Sequence, residues 1–135
     1  MRRLPNNALH KALLMFLKEK LTVSVYDYVP TDAKLPFVTL GAINVEDKST
    51  KADDLTHLSI QIHIWSNYKG RYEINSLAEK IINLLAESQL DLTADGFYVN
   101  AQGIDFYESY PEEDSGYSGV LTLEVLIQNL EGGNN

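Results

Sequence analysis

Residues 56–89 read THLSIQIHIWSNYKGRYEINSLAEKIINLLAESQ, and a change of period inside this stretch decides the fold. Leu58, Ile60, Ile62 and Ile64 alternate with His57, Ser59, Gln61, His63 and Trp65. Successive side chains of a strand point to opposite faces, so this alternation predicts a strand with one buried and one more open face. Ile74, Leu77, Ala78, Ile81, Ile82 and Leu85 then recur at helical spacing and predict an amphipathic helix. Ser66-Asn67 and Lys69-Gly70 supply the turn between them. Each element has one greasy face, and packing the two faces together buries both.

Working toward the N-terminus, the segment 44–54 (NVEDKSTKADD) is polar and poor in apolar anchors, which predicts a long mobile loop. Two readings are open for it: a solvated hairpin tip, or a segment that orders against a partner. FVTLGAI (37–43) precedes it as a strand, with Gly41 marking a bulge or a close backbone approach. TVSVYDY (22–28) is a further strand, ended by Val29-Pro30-Thr31-Asp32. Pro5-Asn6-Asn7 opens a helix whose apolar stripe is Leu9, Ala12, Leu13, Phe16 and Leu17.

Toward the C-terminus, Asp95-Gly96 predicts a turn, followed by a strand with Phe97, Val99 and Ala101 on one face. Past Gly103 the apolar positions become Ile104 and Phe106, and this parity change predicts a bulge at the glycine. Residues 107–117 (YESYPEEDSGY) read as an acidic, aromatic, turn-rich loop. Leu121, Leu123, Val125 and Ile127 form the inner face of a last, interior strand, with Val120, Leu126 and Leu130 on the other side. EGGNN (131–135) has nothing to bury and is expected to fray. The order is α-β-β-β-α-β-β in one α+β domain spanning 1–135. The short connections favour a mainly antiparallel sheet of four to five strands, with both helices on one face.

Charge and composition narrow the function. The chain has no cysteine, which removes disulfides, thiolate metal sites and thiol nucleophiles. No apolar run approaches the ~18 residues that span a bilayer. His10 and Lys11 interrupt the apolar N-terminal stretch, so a cytosolic amphipathic helix is expected there rather than a signal peptide. The net charge is −8; residues 1–20 carry five basic residues against Glu19, so the rest of the chain carries −12. Such a body repels nucleic acid and suits a basic protein partner.

Catalysis finds little support. His57 and His63 are six residues apart on one strand face, about 20 Å, too far to share a metal ion. Glu112, Glu113 and Asp114 sit together in a turn, where they read as a solvated acidic cluster. No phosphate-binding glycine loop or nucleophile elbow is present. The expectation is no catalytic residue, no cofactor and no metal. Binding surface is easier to read: Glu46, Asp47, Lys48, Lys51, Asp53 and Asp54 in the first loop, and Tyr107, Tyr110, Glu112, Glu113 and Asp114 in the second. Trp65 has two readings, packing under a helix or loop and anchoring a neighbouring subunit.

Leu35-Pro36-Phe37-Val38-Thr39-Leu40-Gly41, the polar loop, His63-Ile64-Trp65-Ser66 and the helix EINSLAEKIINLL (73–85), in this order, resemble a known family. Over about residues 5–130 the chain looks like the tail-completion or head-to-tail joining proteins of long-tailed bacteriophages, siphophages in particular. The resemblance implies a structural virion protein that caps the head-proximal end of the tail tube and docks onto the head connector. It implies a hexameric ring built from chains that are monomers in the host cytoplasm beforehand. The implied partners are the tail tube protein, the head connector or stopper and further copies of the chain, with neither nucleic acid nor membrane. Other readings are a connector or stopper on the head side of the same joint, a small cytosolic adaptor domain, and a metal-dependent hydrolase.

Overall fold

The central strand, Leu55–Ser66, alternates strictly between buried and half-buried residues along its whole length. Its Leu58, Ile60, Ile62 and Ile64 are completely shielded from solvent, at 0 % exposure. Burying such a side chain contributes roughly 1.5–3 kcal/mol, so these four positions anchor the core. The computed structural model describes residues 1–113 and 116–131. Its elements in chain order are α1 (Asn6–Lys20), β1 (Ser24–Tyr26), β2 (Phe37–Asp47), β3 (Leu55–Ser66), α2 (Tyr72–Glu87), a short 3-10 turn (Thr93–Asp95), β4 (Phe97–Pro111) and β5 (Tyr117–Asn129).

The strands form one sheet in the order β1-β2-β3-β5-β4. The order α-β-β-β-α-β-β and the α+β class agree with the sequence reading. Both helices pack on one face: α1 against β1 and β2, α2 against β3, β5 and β4. Leu9, Leu13 and Leu17 of α1 and Ile74, Ala78, Ile81 and Leu85 of α2 meet Leu121, Leu123, Val125 and Ile127 in a single core. Among the described residues, the opposite face of the sheet carries no helix.

Several local features depart from the sequence reading. β1 is only three residues long and pairs parallel to β2, the one parallel pair in an otherwise antiparallel sheet. The ten-residue connection 27–36 lets the chain return alongside itself before β2 begins. β2 continues to Asp47, so residues 44–47 are strand and the loop is confined to 48–54. Val45 faces Leu58 across this extension and gives it an apolar anchor. β4 likewise runs on to Pro111, so Tyr107 and Tyr110 are strand residues and the turn is shorter than 107–117.

The predicted bulge at Gly103 is instead a pair of bulges on either side of it, between Val99 and Ala101 and between Ile104 and Phe106. Each adds a residue and flips the parity. Ala101 therefore leaves the face of Val99, and Phe106 leaves the face of Ile104 and stands 54 % exposed. Gly41 lies in a register shift between Leu40 and Ile43, and a Cβ there would come within 2.7 Å of the His63 Nε2. Both meanings of that glycine hold, a bulge and a close approach.

Polar side chains fasten the ends of α2. The Ser66 hydroxyl donates to Glu73 and accepts from the Tyr68 amide, closing the turn that starts the helix. At the far end Gln102 reaches in from β4, donating to the carbonyls of Leu85 and Ser88 and accepting from the Leu90 amide. These carbonyls belong to the last turn, where no intrahelical partner exists. Gln89 donates to the Val99 carbonyl and holds the segment after α2 against β4. Gly96, at φ 79°, then supplies the left-handed turn into β4.

Candidate functional site

The sequence-read site residues divide among three places. The first is the β2–β3 loop. Glu46 and Asp47 close β2, and Lys48, Lys51 and Asp53 stand exposed beyond it. Asp54 turns inward and organises the loop. Its carboxylate accepts from Asn129 Nδ2 at 2.9 Å, from the Ser49 hydroxyl at 3.1 Å and from the Arg2 amide at 3.3 Å. It also faces the chain's terminal ammonium at 3.1 Å. The Asn129 donor leads in holding the Asp54 carboxyl down at about 2. The Ser49 hydroxyl and amide keep Asp47 below the usual carboxylate range. Thr50 accepts from the amides of Ala52 and Asp53, which rounds the tip. Residues 49–54 border an open, polar groove of about 520 Å³ together with Gln128 and Leu130.

The second place is the β4–β5 hairpin at the other end of the sheet. The Glu112 amide donates to the Gly116 carbonyl at 3.1 Å, and Gly116 takes φ 82°. Glu113 is exposed and Glu112 half-buried. Asp114 lies outside the described residues. Tyr110 shares a rung with Ser118 and Trp65 on the helix-free face. With β5 between them, Tyr110 and Trp65 stand about 10 Å apart. Tyr107 does not join this group. It points to the helix side, donates its hydroxyl to Asn75 of α2 at 2.7 Å and covers Gly119. Burial raises its phenol pKa.

The third place is the helix-free face. Trp65 donates through Nε1 to the Thr39 hydroxyl at 3.0 Å, and its ring stacks on His63 at 5.8 Å. Thus Trp65 packs against its own sheet, under neither helix. The His63 Nε2 meets the Gln61 side-chain oxygen at 3.2 Å, while its Nδ1 is buried without a partner. Burial lowers the His63 pKa, which favours the neutral ring. His57 lies between two carboxylates, 2.7 Å from Glu124 and 4.0 Å from Glu46. Sequence reading passed over Glu124, although its polar position between Leu123 and Val125 was the available signal. Thr39 and Gln61 gave no signal of their own, because their roles depend on which strand lies alongside.

Among the described residues, no group of three or more His, Cys, Asp or Glu side chains is placed to hold a metal ion. Among them also, no helix is long and apolar enough to cross a membrane. The sequence-read residues thus lie on three separate surfaces of the molecule.

The model of the family "Tail completion protein gp17" matches residues 8–128. The chain belongs to this family. Membership in the tail completion family makes it a structural phage tail protein. The structure is similar to a chain from the virion of a native gene transfer agent particle, with a TM-score of 0.80 at 18 % identity. That likeness covers 91 % of this chain and 96 % of the other. A comparison with curated proteins returns no match. The tail completion family also gives a setting for the three surfaces, because a virion component is defined by what it touches.

Proposed function

We propose that this tail completion protein caps the head-proximal end of the tail tube and presents the surface onto which the head connector docks. The observation that carries this reading is the separation of its candidate surfaces. The 48–54 loop and the β4–β5 hairpin lie at opposite ends of the sheet, joined by the full length of β3. Thr56 and Ser66 mark the two ends, and ten residues at ~3.3 Å each put them about 33 Å apart. A joining protein needs two contact surfaces facing opposite ways. Lys48, Lys51 and Asp53 with Glu46, Asp47 and Asp54 supply one, and Tyr110, Glu112 and Glu113 the other. Several copies form a ring on the siphophage-type tube, assembled from monomers in the host cytoplasm. The role is structural, with no chemical step and no cofactor.

Lysates lacking the protein test the reading. Separated full heads and tails are expected by negative-stain imaging, with tails of excess length where tube growth is no longer stopped. Normal joined virions would overturn it. Co-sedimentation fixes the side of the joint: the protein is expected with purified tails, and association with tailless heads alone would place it on the connector.

A further inference from the structure

The two lateral edges of the sheet differ in build and complement each other. At one edge β4 has no other described strand beside it. Gln89 and Leu90 flank it only near Val99 and Gln102. From residue 103 to 111 its outward backbone groups meet no other described strand, and a Cβ at Gly103 would touch nothing within 4 Å. An unpaired edge of this length is a template for another chain. Phe106 is exposed there, and β4 carries Asp105 and Glu108 with no basic residue.

The other edge is formed by β1 and the connection 27–36. It exposes Tyr28 at 89 %, Val29 at 38 % and Leu35 at 40 %. Helix α1 covers the same side, tied to it by His10 and Asp27 at 3.3 Å, and its last turn carries Lys18 and Lys20 with Glu19, while Lys11 pairs with Asp95 away from this edge. One edge is therefore an open acidic strand with an exposed Phe106, the other an apolar edge of mixed charge, with Lys18, Lys20 and Lys34 beside Glu19, Asp27 and Asp32.

These edges also lie level. Tyr110, Ser118, Trp65, Phe37 and Ser24 form one rung across all five strands, and Glu108, Val120, His63, Thr39 and Tyr26 form another. The free part of β4 and the three residues of β1 thus occupy opposite ends of the same rungs. They also run antiparallel to each other, as the pairings between them require. A second copy set beside the first brings its β1 edge to the open β4 edge without a vertical shift.

We propose that copies of this chain associate head to tail, the β4 edge around Phe106 of one copy receiving β1 and the 27–36 connection of the next. Such a contact joins unlike patches, so each added copy leaves one free edge of each kind until rotation closes the set. The surface rests on the ring reading above and specifies which sides of the subunit meet in it. The sheet ends, with the 48–54 loop and the β4–β5 hairpin, are left for the axial partners.

The absence of native cysteine makes a direct test clean. Phe106→Cys and Val29→Cys are introduced together and singly, and the proteins are oxidised after assembly onto purified tails. The double variant is expected to give a ladder of disulfide-linked multimers on non-reducing gels, and each single variant to remain a monomer. Phe106→Arg, read alongside, is expected to lower ring recovery about tenfold, as loss of an interface anchor does. Its circular dichroism and melting should stay unchanged, since Phe106 is exposed. Rings that form normally with Phe106→Arg and give no ladder would overturn this interface and leave the ring standing. Monomers under all conditions, with and without tails, would overturn both.

Discussion

The two faces of β3 share one backbone and one spacing, yet their energetics differ. On the helix side Leu58, Ile60, Ile62 and Ile64 are sealed under α1 and α2. On the other side His57, Ser59, Gln61, His63 and Trp65 are half-buried, and His57, Gln61, His63 and Trp65 pair with polar groups on their own and neighbouring strands. The covered face holds the molecule together by area removed from water. The helix-free face is held by specific pairs, each of modest net value because water competes for the same groups. That division leaves one side of the sheet and its edges open to contact without risk to the core.

The largest test of this contrast is Ile62→Ala, expected to cost about 3 kcal/mol in a denaturant titration, as large cavities in well-packed cores do. Its neighbour Gln61→Ala should stay within about 0.5 kcal/mol, the usual size of a surface change. Equal losses would erase the distinction between the faces. Next comes Gln102→Ala, a polar side chain on the covered side. It strips partners from the Leu85 and Ser88 carbonyls and the Leu90 amide and should cost about 2 kcal/mol. A neutral result would show that water reaches the end of α2.

Thr39→Val probes the open face by removing the acceptor of Trp65. About 1 kcal/mol is expected, and the emission of the single tryptophan should shift as its ring loosens. The smallest effect concerns His63. Burial holds its folded pKa below the ordinary 6.5. Below pH 6.5 the unfolded chain takes up the proton first, so stability should fall as pH drops from that value toward the folded pKa. His63→Gln should flatten this part of the pH profile. An unchanged slope would mean that the ring is solvated and the stacking with Trp65 is loose.

Legibility followed the range of the interactions. The helix stripe at 74–85 and the strand ladder at 58–64 were readable because each is set by neighbours a few residues apart. The glycine at 41 was readable because a Cβ-free residue inside a strand has few reasons to be there. Residues 44–47 read as loop because Asn44, Glu46 and Asp47 are polar, and only the partner residues 56–59 make them a strand. Phe106 was grouped with Ile104 because they are two apart, and the bulge that separates them exists only against β5. For the candidate site, Glu46, Asp47, Lys48, Lys51 and Asp53 were legible as exposed, whereas the inward turn of Asp54 depends on Asn129 far along the chain. Tyr107 was misplaced, since its hydroxyl partner is Asn75, thirty-two positions away in sequence.

By itself the sequence determined the element order and the buried faces of β3, β5 and the two helices, all properties of local period. Only the tertiary structure decided that β5 lies between β3 and β4, that β1 runs parallel at the edge, and that the two charged regions face away from each other. The physical reason is that side-chain alternation says which way a residue points but not which strand lies beside it. That choice depends on long-range pairing across the whole sheet, whose loop-closure cost varies only slowly with chain separation. Residues 56–89 thus carry their own folding instructions, while the edges of the sheet are defined only once the sheet is complete.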